Sequence, residues 1–274
     1  MNTLKSELRK LEKNKHLAYI KFKEERSKLF EAGDWDALDR LQFEFKADEI
    51  EIDHQIAKLE DIIAGNIDDW AKVAIICETS GTLRELFREA GHETISCDIL
   101  PADDLSPNDR HHWQGDAVEF LEGFEDGHFS LIIAHPPCQY LAVSGNAHHA
   151  NSENRANAMQ WTENLWNLCK RKAKRVAFEN PVGVLGHTQM GKATQYIQPW
   201  QFGEPESKKT GLWLHNLPKL KPTCILPKPE CGYWENQTPS GQNKLGPSPD
   251  RWKVRSKTYM NIGLAIRDQF SKIL

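Results

Sequence analysis

From residue 72 onward, short apolar runs alternate with stretches of helical spacing, and this alternation constrains the chain more than any single residue does. "KVAIIC" (72–77) reads as a strand, followed by "ETSGT" and an amphipathic helix from Leu83 to Ala90. "GHETISCDIL" (91–100) gives a turn and a second strand that closes on Asp98, and "FSLIIAH" (129–135) gives a third. Residues 151–173 have helical spacing through Met159, Trp161, Leu165, Trp166 and Leu168, and "RVAFEN" (175–180) is a fourth strand. "GLWLH" (211–215) is a candidate fifth, near an antiparallel edge, and a closing helix runs from about Met260 to Ile273. Strand-length apolar runs separated by amphipathic helices predict an α/β fold, a mostly parallel sheet with helices on both faces.

Residues 1–64 differ from this pattern. They contain no proline and are dense in Lys, Glu, Leu and Ile, with one break at "AGDWD" (32–36). Leu4, Leu8, Leu11, Ala18 and Phe22 form one apolar stripe; Leu38, Leu41, Phe45, Ile52, Ile56, Leu59 and Ile63 form another. Two long helices folded back on each other fit this spacing, with Asp34 or Asp36 capping the second. Residues 1–30 hold nine Lys/Arg against four acids, and residues 31–64 hold three against eleven. A basic helix beside an acidic one makes a coiled-coil-like antiparallel hairpin. The expected domains are therefore an N-terminal helical hairpin over 1–66 and an α/β domain over 67–274, with "AGNIDDW" (64–70) as the linker. Packing on its own domain, formation of a homo-oligomer and a basic arm on nucleic acid all remain open for the hairpin.

Charge is informative by its distribution. The formal net charge is only -4, yet residues 207–274 hold twelve Lys/Arg against four acids, including "RWKVRSK" (251–257). A basic, aromatic-bearing, turn-rich segment at about 216–258 is a candidate phosphate-contacting surface. No apolar run reaches the roughly 18–20 residues that cross a bilayer, and "MNTLKSELRK" has no apolar signal core, so an intracellular protein is expected. Six cysteines in 274 residues form no disulfide framework, and no CxxC pair occurs. Cys224 and Cys231, with His215 upstream, are spaced more loosely than paired structural-zinc ligands, and no metal is expected.

In open parallel sheets, the loops at the carboxyl ends of the strands build the site. After the first strand come Glu78, Thr79, Ser80 and Gly81, small residues that allow close approach at a helix N-terminus. Asp98, closing the second strand, stands where an acid hydrogen-bonds the hydroxyls of a ribose. Asp116 in "QGDAVEFL" is either a contact to the amino edge of an adenine or a helix N-cap. After the third strand comes "HPPCQYLAVSGN" (135–146). Two prolines that cannot donate to the ladder stop the strand and stiffen the turn holding Cys138. The fourth strand ends in Glu179-Asn180-Pro181. A thiol and a carboxylate on neighbouring strand ends suit nucleophilic addition to an electron-poor ring with acid assistance.

"AHPPCQYLAVSGN" resembles the Pro-Cys-Gln loop of the DNA cytosine (carbon-5) methyltransferases, and "VAFENPVG" resembles their Glu-Asn-Val loop. "CETSGTLRELFREAGHETISCDI" looks like their cofactor-binding opening. Residues 72–272 are similar to the small phage- and prophage-type members, in which "FENPVGVL", "SGQNKLGPSPDRWKVRSKTY" and a closing helix recur in this order. The resemblance does not reach residues 1–66. It implies a Rossmann-like S-adenosyl-L-methionine-dependent methyltransferase domain acting on cytosine in double-stranded DNA, in the cytoplasm of a bacterial or phage-infected cell. It further implies Cys138 as nucleophile and Glu179 as the acid at the ring. Glu78, Thr79, Ser80, Gly81, Asp98, Ile99, Asp116 and Pro136 would lie at the cofactor. Pro137, Gln139, Ser144, Asn180, Lys208, Lys209, Arg251, Lys253, Arg255 and Lys257 would lie at the base or the DNA.

Three departures from the family pattern bear on function. Pro181 stands where the family has Val. "ESKKTGLWL" (206–214) replaces its Gln-x-Arg-x-Arg stretch, leaving Lys208 and Lys209 as stand-ins for arginines. Only thirty-five residues separate "GLWLH" from "RWKVRSK", so the target-recognition region is reduced. The rival readings are an exocyclic-amino methyltransferase, an enzyme acting on a cytosine nucleotide, and a DNA-binding module without catalysis.

Overall fold

The computed structural model describes residues 2–64, 72–103, 111–241, 243–246, 248 and 255–274. The chain divides into two compact units, Met1–Trp70 and Ala71–Leu274. The expected linker lies, past Ala64, outside the described residues.

The first unit is a pair of long helices, α1 (Asn2–Ala32) and α2 (Trp35–Ala64). Gly33 turns the chain at φ +70, a left-handed conformation open to glycine. Asp34 supplies the cap, its Oδ1 accepting from the Ala37 N–H at 3.1 Å. The helices return antiparallel: Lys15 on α1 pairs with Asp53 on α2, and Phe22 stacks on Phe45 with ring centroids 4.1 Å apart. Among the described residues of this unit, Leu38 alone is a buried apolar side chain.

The second unit is built on a seven-stranded sheet. Its strands are β1 (Lys72–Ile76), β2 (Glu93–Asp98), β3 (His112–Gln114), β4 (Phe129–Ala134), β5 (Ala173–Pro181), β6 (Gln195–Ile197) and β7 (Thr210–His215). Their spatial order is β3-β2-β1-β4-β5-β7-β6. β1 to β5 are parallel, and β7 runs antiparallel to both β5 and β6. Strands buried on both faces need continuous apolar runs, which explains why β1 and β4 were readable. Alternate residues enter opposite cores. Val73, Ile75, Leu131 and Ile133 pack with α3 (Thr82–Glu89) and the closing helix α7 (Met260–Phe270). Ala74, Ile76, Ile132 and Ala134 pack with α4 (Ala117–Glu122) and α6 (Glu153–Lys172). A four-residue helix, α5 (Asn146–His149), precedes α6.

Two strands carried no signal in the sequence. β3 and β6 are three residues long and lie at the sheet edges, where pairing on one side suffices. β7 lies near the antiparallel edge, as expected, with β6 outside it. The order reverses between β1 and β4, so the loops after these two strands diverge and open a crevice at the carboxyl end.

Candidate active site

The β1 loop begins with strain. Cys77, the first residue past β1, sits at φ +59, a conformation that costs a non-glycine residue about 1–3 kcal/mol and clusters at functional sites. Its N–H donates to the Cys97 carbonyl at 2.7 Å, pinning the β1 loop to β2. Glu78 is buried and serves the helix: its carboxylate accepts from the N–H groups of Leu83 at 2.8 Å and Arg84 at 3.3 Å. Burial raises its carboxyl above the usual value, against the lowering effect of His135 and of those N–H groups. The Ser80 hydroxyl donates to Thr82 Oγ1 and to Glu78, and the Thr79 carbonyl accepts from Asp103 N–H at 2.7 Å. Gly81 takes φ +67 at the start of α3. The first turn of α3 is thus partly answered from within the chain, by Glu78.

Asp98 closes β2. Its Oδ1 accepts from Leu100 N–H at 2.9 Å, and burial raises its carboxyl. Ile99 beside it is 69% exposed, a large apolar side chain left uncovered at a strand end. Asp116 is the N-cap of α4, Oδ1 accepting from Val118 and Glu119. Both acids act on the thiols of half-buried Cys77 and buried Cys97, so the ends of β1 and β2 and the start of α4 meet in one place.

The β4 and β5 loops are joined to each other. Asn180, 1% exposed, donates from Nδ2 to the Pro136 carbonyl at 2.8 Å. Ala142 and Gly183 form an antiparallel bridge, with Val143 N–H on the Val182 carbonyl at 3.0 Å and Val184 N–H on Leu141 at 2.9 Å. A Cβ at Gly183 would lie 2.1 Å from the Leu141 carbonyl oxygen, so only glycine allows this approach. Arg155 of α6, 5% exposed, braces the loop: Nε donates to Tyr140 O at 2.7 Å and NH1 to Asn146 Oδ1 at 2.8 Å.

These ties bring Cys138 and Glu179 within electrostatic reach. Cys138 is exposed, as are Pro137, Gln139 and Ser144. Crowding by protein raises its thiol, Glu179 raises it further, and the charges of Lys208 and Arg255 pull it down; the net shift is upward. Burial also pushes Glu179 up. The His135 hydrogen bond and the Lys208 charge outweigh this and hold it below the usual carboxylate value. The resting pair is a thiol beside a carboxylate.

Lys208 is placed by the tail, its Nζ donating to the Arg255 carbonyl at 2.8 Å and lying 5.7 Å from the Tyr259 ring centre. Tyr259 in turn donates to Glu206, as does Asn236 at 3.2 Å. Lys209 is not brought in; its ammonium sits 4.9 Å over the Tyr196 ring of β6. Lys257 is exposed, while Arg251 and Lys253 lie outside the described residues. Among the described residues no three His, Cys, Asp or Glu side chains form a metal-holding group.

His135, Thr210 and Arg155 were not singled out from the sequence. His135 had a signal, an ionisable residue directly before the strand-ending Pro-Pro. Thr210 and Arg155 had none, since antiparallel pairing sets Thr210 against Pro181 at the end of β5, and Arg155 reaches the Cys138 loop from a helix packed behind it.

No family model matches the chain, and no curated protein does. Among solved structures, it is similar to a SAM-dependent methyltransferase from Archaeoglobus fulgidus, with 22% identity and a TM-score of 0.30 over 48% of this chain and 53% of that one. It is also similar to the Dnmt2 methyltransferase of S. pombe, with 14% identity and a TM-score of 0.38 over 53% of this chain and 49% of that one. The chain thus spans about half the length of each.

Proposed function

We propose that the Ala71–Leu274 unit is an S-adenosyl-L-methionine-dependent methyltransferase acting on carbon 5 of cytosine in double-stranded DNA. One observation carries this reading. Two loops from adjacent strands, hydrogen-bonded to each other, bring an exposed thiol and a carboxylate held ionised into mutual reach.

The residues fit the nucleoside cofactor. Asp98 offers a carboxylate at the end of β2, Ile99 offers an uncovered apolar side chain for an adenine face, and the crevice opens at the sheet's switch point. The cofactor supplies an electrophilic methyl group. Cytosine carbon 5 is a weak nucleophile until sulfur adds at carbon 6, and Cys138 is the sulfur available. As sulfur adds, the Cys138 thiol proton passes to ring nitrogen 3, where the ionised Glu179 carboxylate accepts its hydrogen bond and holds it, making the ring a better acceptor; acid assistance of this kind is worth about 10²–10⁴-fold. A proton shared between ring and carboxylate also removes the charge that raises the Cys138 thiol, so recognition of the ring and formation of thiolate reinforce each other. After transfer, carbon 5 loses its proton and Cys138 is eliminated from carbon 6. The base reaches the pocket by leaving the stack, at a cost of a few kcal/mol. Lys208 and Arg255, whose charges reach Cys138, suit the flanking phosphates.

The hairpin is assigned to self-association. Leu17, Tyr19, Ile20, Phe30, Trp35 and Phe43 are 40–60% exposed on a pair of helices in which Leu38 is the buried apolar residue among those described. The charge difference between basic α1 and acidic α2 favours a second copy related by a two-fold axis, α1 against its partner's α2.

The test is mass spectrometry of nucleosides digested from DNA incubated with protein and cofactor. The account expects 5-methyldeoxycytidine, and none from Cys138→Ala protein that still binds cofactor. N-methylated bases, methylation of free nucleotide alone, or DNA binding without cofactor binding would each replace it.

A further inference from the structure

His135 is the first residue past β4, and its own N–H donates to the Ile76 carbonyl at 2.9 Å. The next residue, Pro136, has its carbonyl held by Asn180 at 2.8 Å, so the backbone on both sides of His135 is fixed. The imidazole is 14% exposed and its Nδ1 lies 3.0 Å from Glu179 Oε2. An ionised carboxylate only accepts, so this contact requires the proton on Nδ1. Nε2, on the far side of the ring, is buried without a hydrogen-bond partner among the described residues. A ring whose second nitrogen is left unanswered is oriented by Glu179 alone.

Glu179 is consequently held from two directions. His135 comes from the end of β4, and the Lys208 charge from the segment before β7. His135 is the only one of these on the loop that carries Cys138, so the bond fixes the carboxylate relative to the sulfur.

We propose that His135 is a positioning residue for Glu179: the Nδ1–H of the Cys138 loop orients the carboxylate toward the pyrimidine. The role of Glu179 in this statement rests on the cytosine reading above. His135 itself touches neither base nor cofactor in it, and acts through Glu179.

Three substitutions separate positioning from packing. Asparagine places an amide N–H where Nδ1 stands, glutamine moves it toward Nε2, and alanine removes it. His135→Ala and His135→Gln are expected to lower kcat about 10- to 100-fold, the loss typical of removing an outer partner that orients a functional group. His135→Asn is expected to stay within about threefold of the parent, with KM for DNA and cofactor affinity unchanged in all three. Nitrogen NMR of histidine-labelled full-length protein gives a second readout that needs no substrate. The signal missing from His135→Asn is expected to report an Nδ1-protonated ring in the parent and to change in Glu179→Ala.

Equal impairment of the asparagine and glutamine variants, full activity in His135→Ala, or an Nε2-protonated ring in the parent would overturn the inference. If the alanine variant fails to fold, the tautomer of the unaltered protein decides. An Nδ1-protonated ring in a protein that makes no 5-methylcytosine would instead keep the pairing and discard the cytosine reading.

Discussion

Gly183→Ala adds one methyl group where the Cys138 loop and the Glu179 loop touch. The new carbon would sit 2.1 Å from Leu141 O and 2.9 Å from Leu141 C, both backbone atoms that cannot rotate away. To reach an ordinary contact the loops must separate by about 1 Å or more. That movement breaks the Val143–Val182 and Val184–Leu141 hydrogen bonds. Each is worth about 0.5–1.5 kcal/mol net, so the stability loss is about 1–3 kcal/mol, because the strands behind the loops remain paired. In a domain of this size each kcal/mol lowers Tm by roughly 2–4 °C. Activity suffers more, since about 1 Å between sulfur and carboxylate costs on the order of 10²-fold. Gly186→Ala is the control on the same loop, where the nearest atom would be 4.0 Å away. Steady-state methyl transfer and thermal melting of both variants check the argument. Gly183→Ala protein with a rate within about twofold of the parent, and an unchanged Tm, would show that the bridge does not set the site.

Glu179→Gln removes a charge that raises the Cys138 thiol, so iodoacetamide should alkylate Cys138 faster at a given pH while methyl transfer falls about 10²–10⁴-fold; both moving down together would contradict the coupling. Because the Glu179 carboxyl is held low, its contribution to stability is present at neutral pH and lost as pH falls through its depressed folded value; melting against pH should show that acid limb flatten in the glutamine variant. Asp98→Ala should weaken cofactor binding about 10- to 100-fold by calorimetry, the value of hydrogen bonds to a charged acceptor. In the parent, affinity should decline with acid at a pH above the ordinary aspartate range, because burial raises that carboxyl and protonation removes the acceptor. The full chain should be a dimer by light scattering. Leu17→Glu with Ile20→Glu should make it a monomer, and a monomeric parent would remove the assignment of the hairpin.

The sheet was legible where strands are buried on both sides, as at 73–76 and 131–134, because such strands must be apolar throughout. β3 and β6 were not, since three residues at an edge need no apolar run. Cys138 and Glu179 stand out in the sequence as candidates because Pro137 next to the one and Pro181 two residues past the other mark strand ends. What the sequence could not display is how the two loops are fastened. Asn180 on Pro136, Gly183 on Leu141 and Arg155 on Tyr140 join residues 15 to 44 positions apart, and each looks ordinary in its own neighbourhood. Asp116 illustrates the reverse case: both of its roles were foreseeable, and its Oδ1 takes up the capping role.

The account depends on sulfur and carboxylate acting on one pyrimidine. DNA carrying 5-fluorocytosine tests this directly, because fluorine at carbon 5 cannot leave as a proton and the adduct cannot resolve. Incubated with the full-length protein and S-adenosyl-L-methionine, it should yield a covalent complex whose peptide map places the base on Cys138, with the transferred methyl on the ring. A methylated product with no adduct at Cys138 would contradict the mechanism.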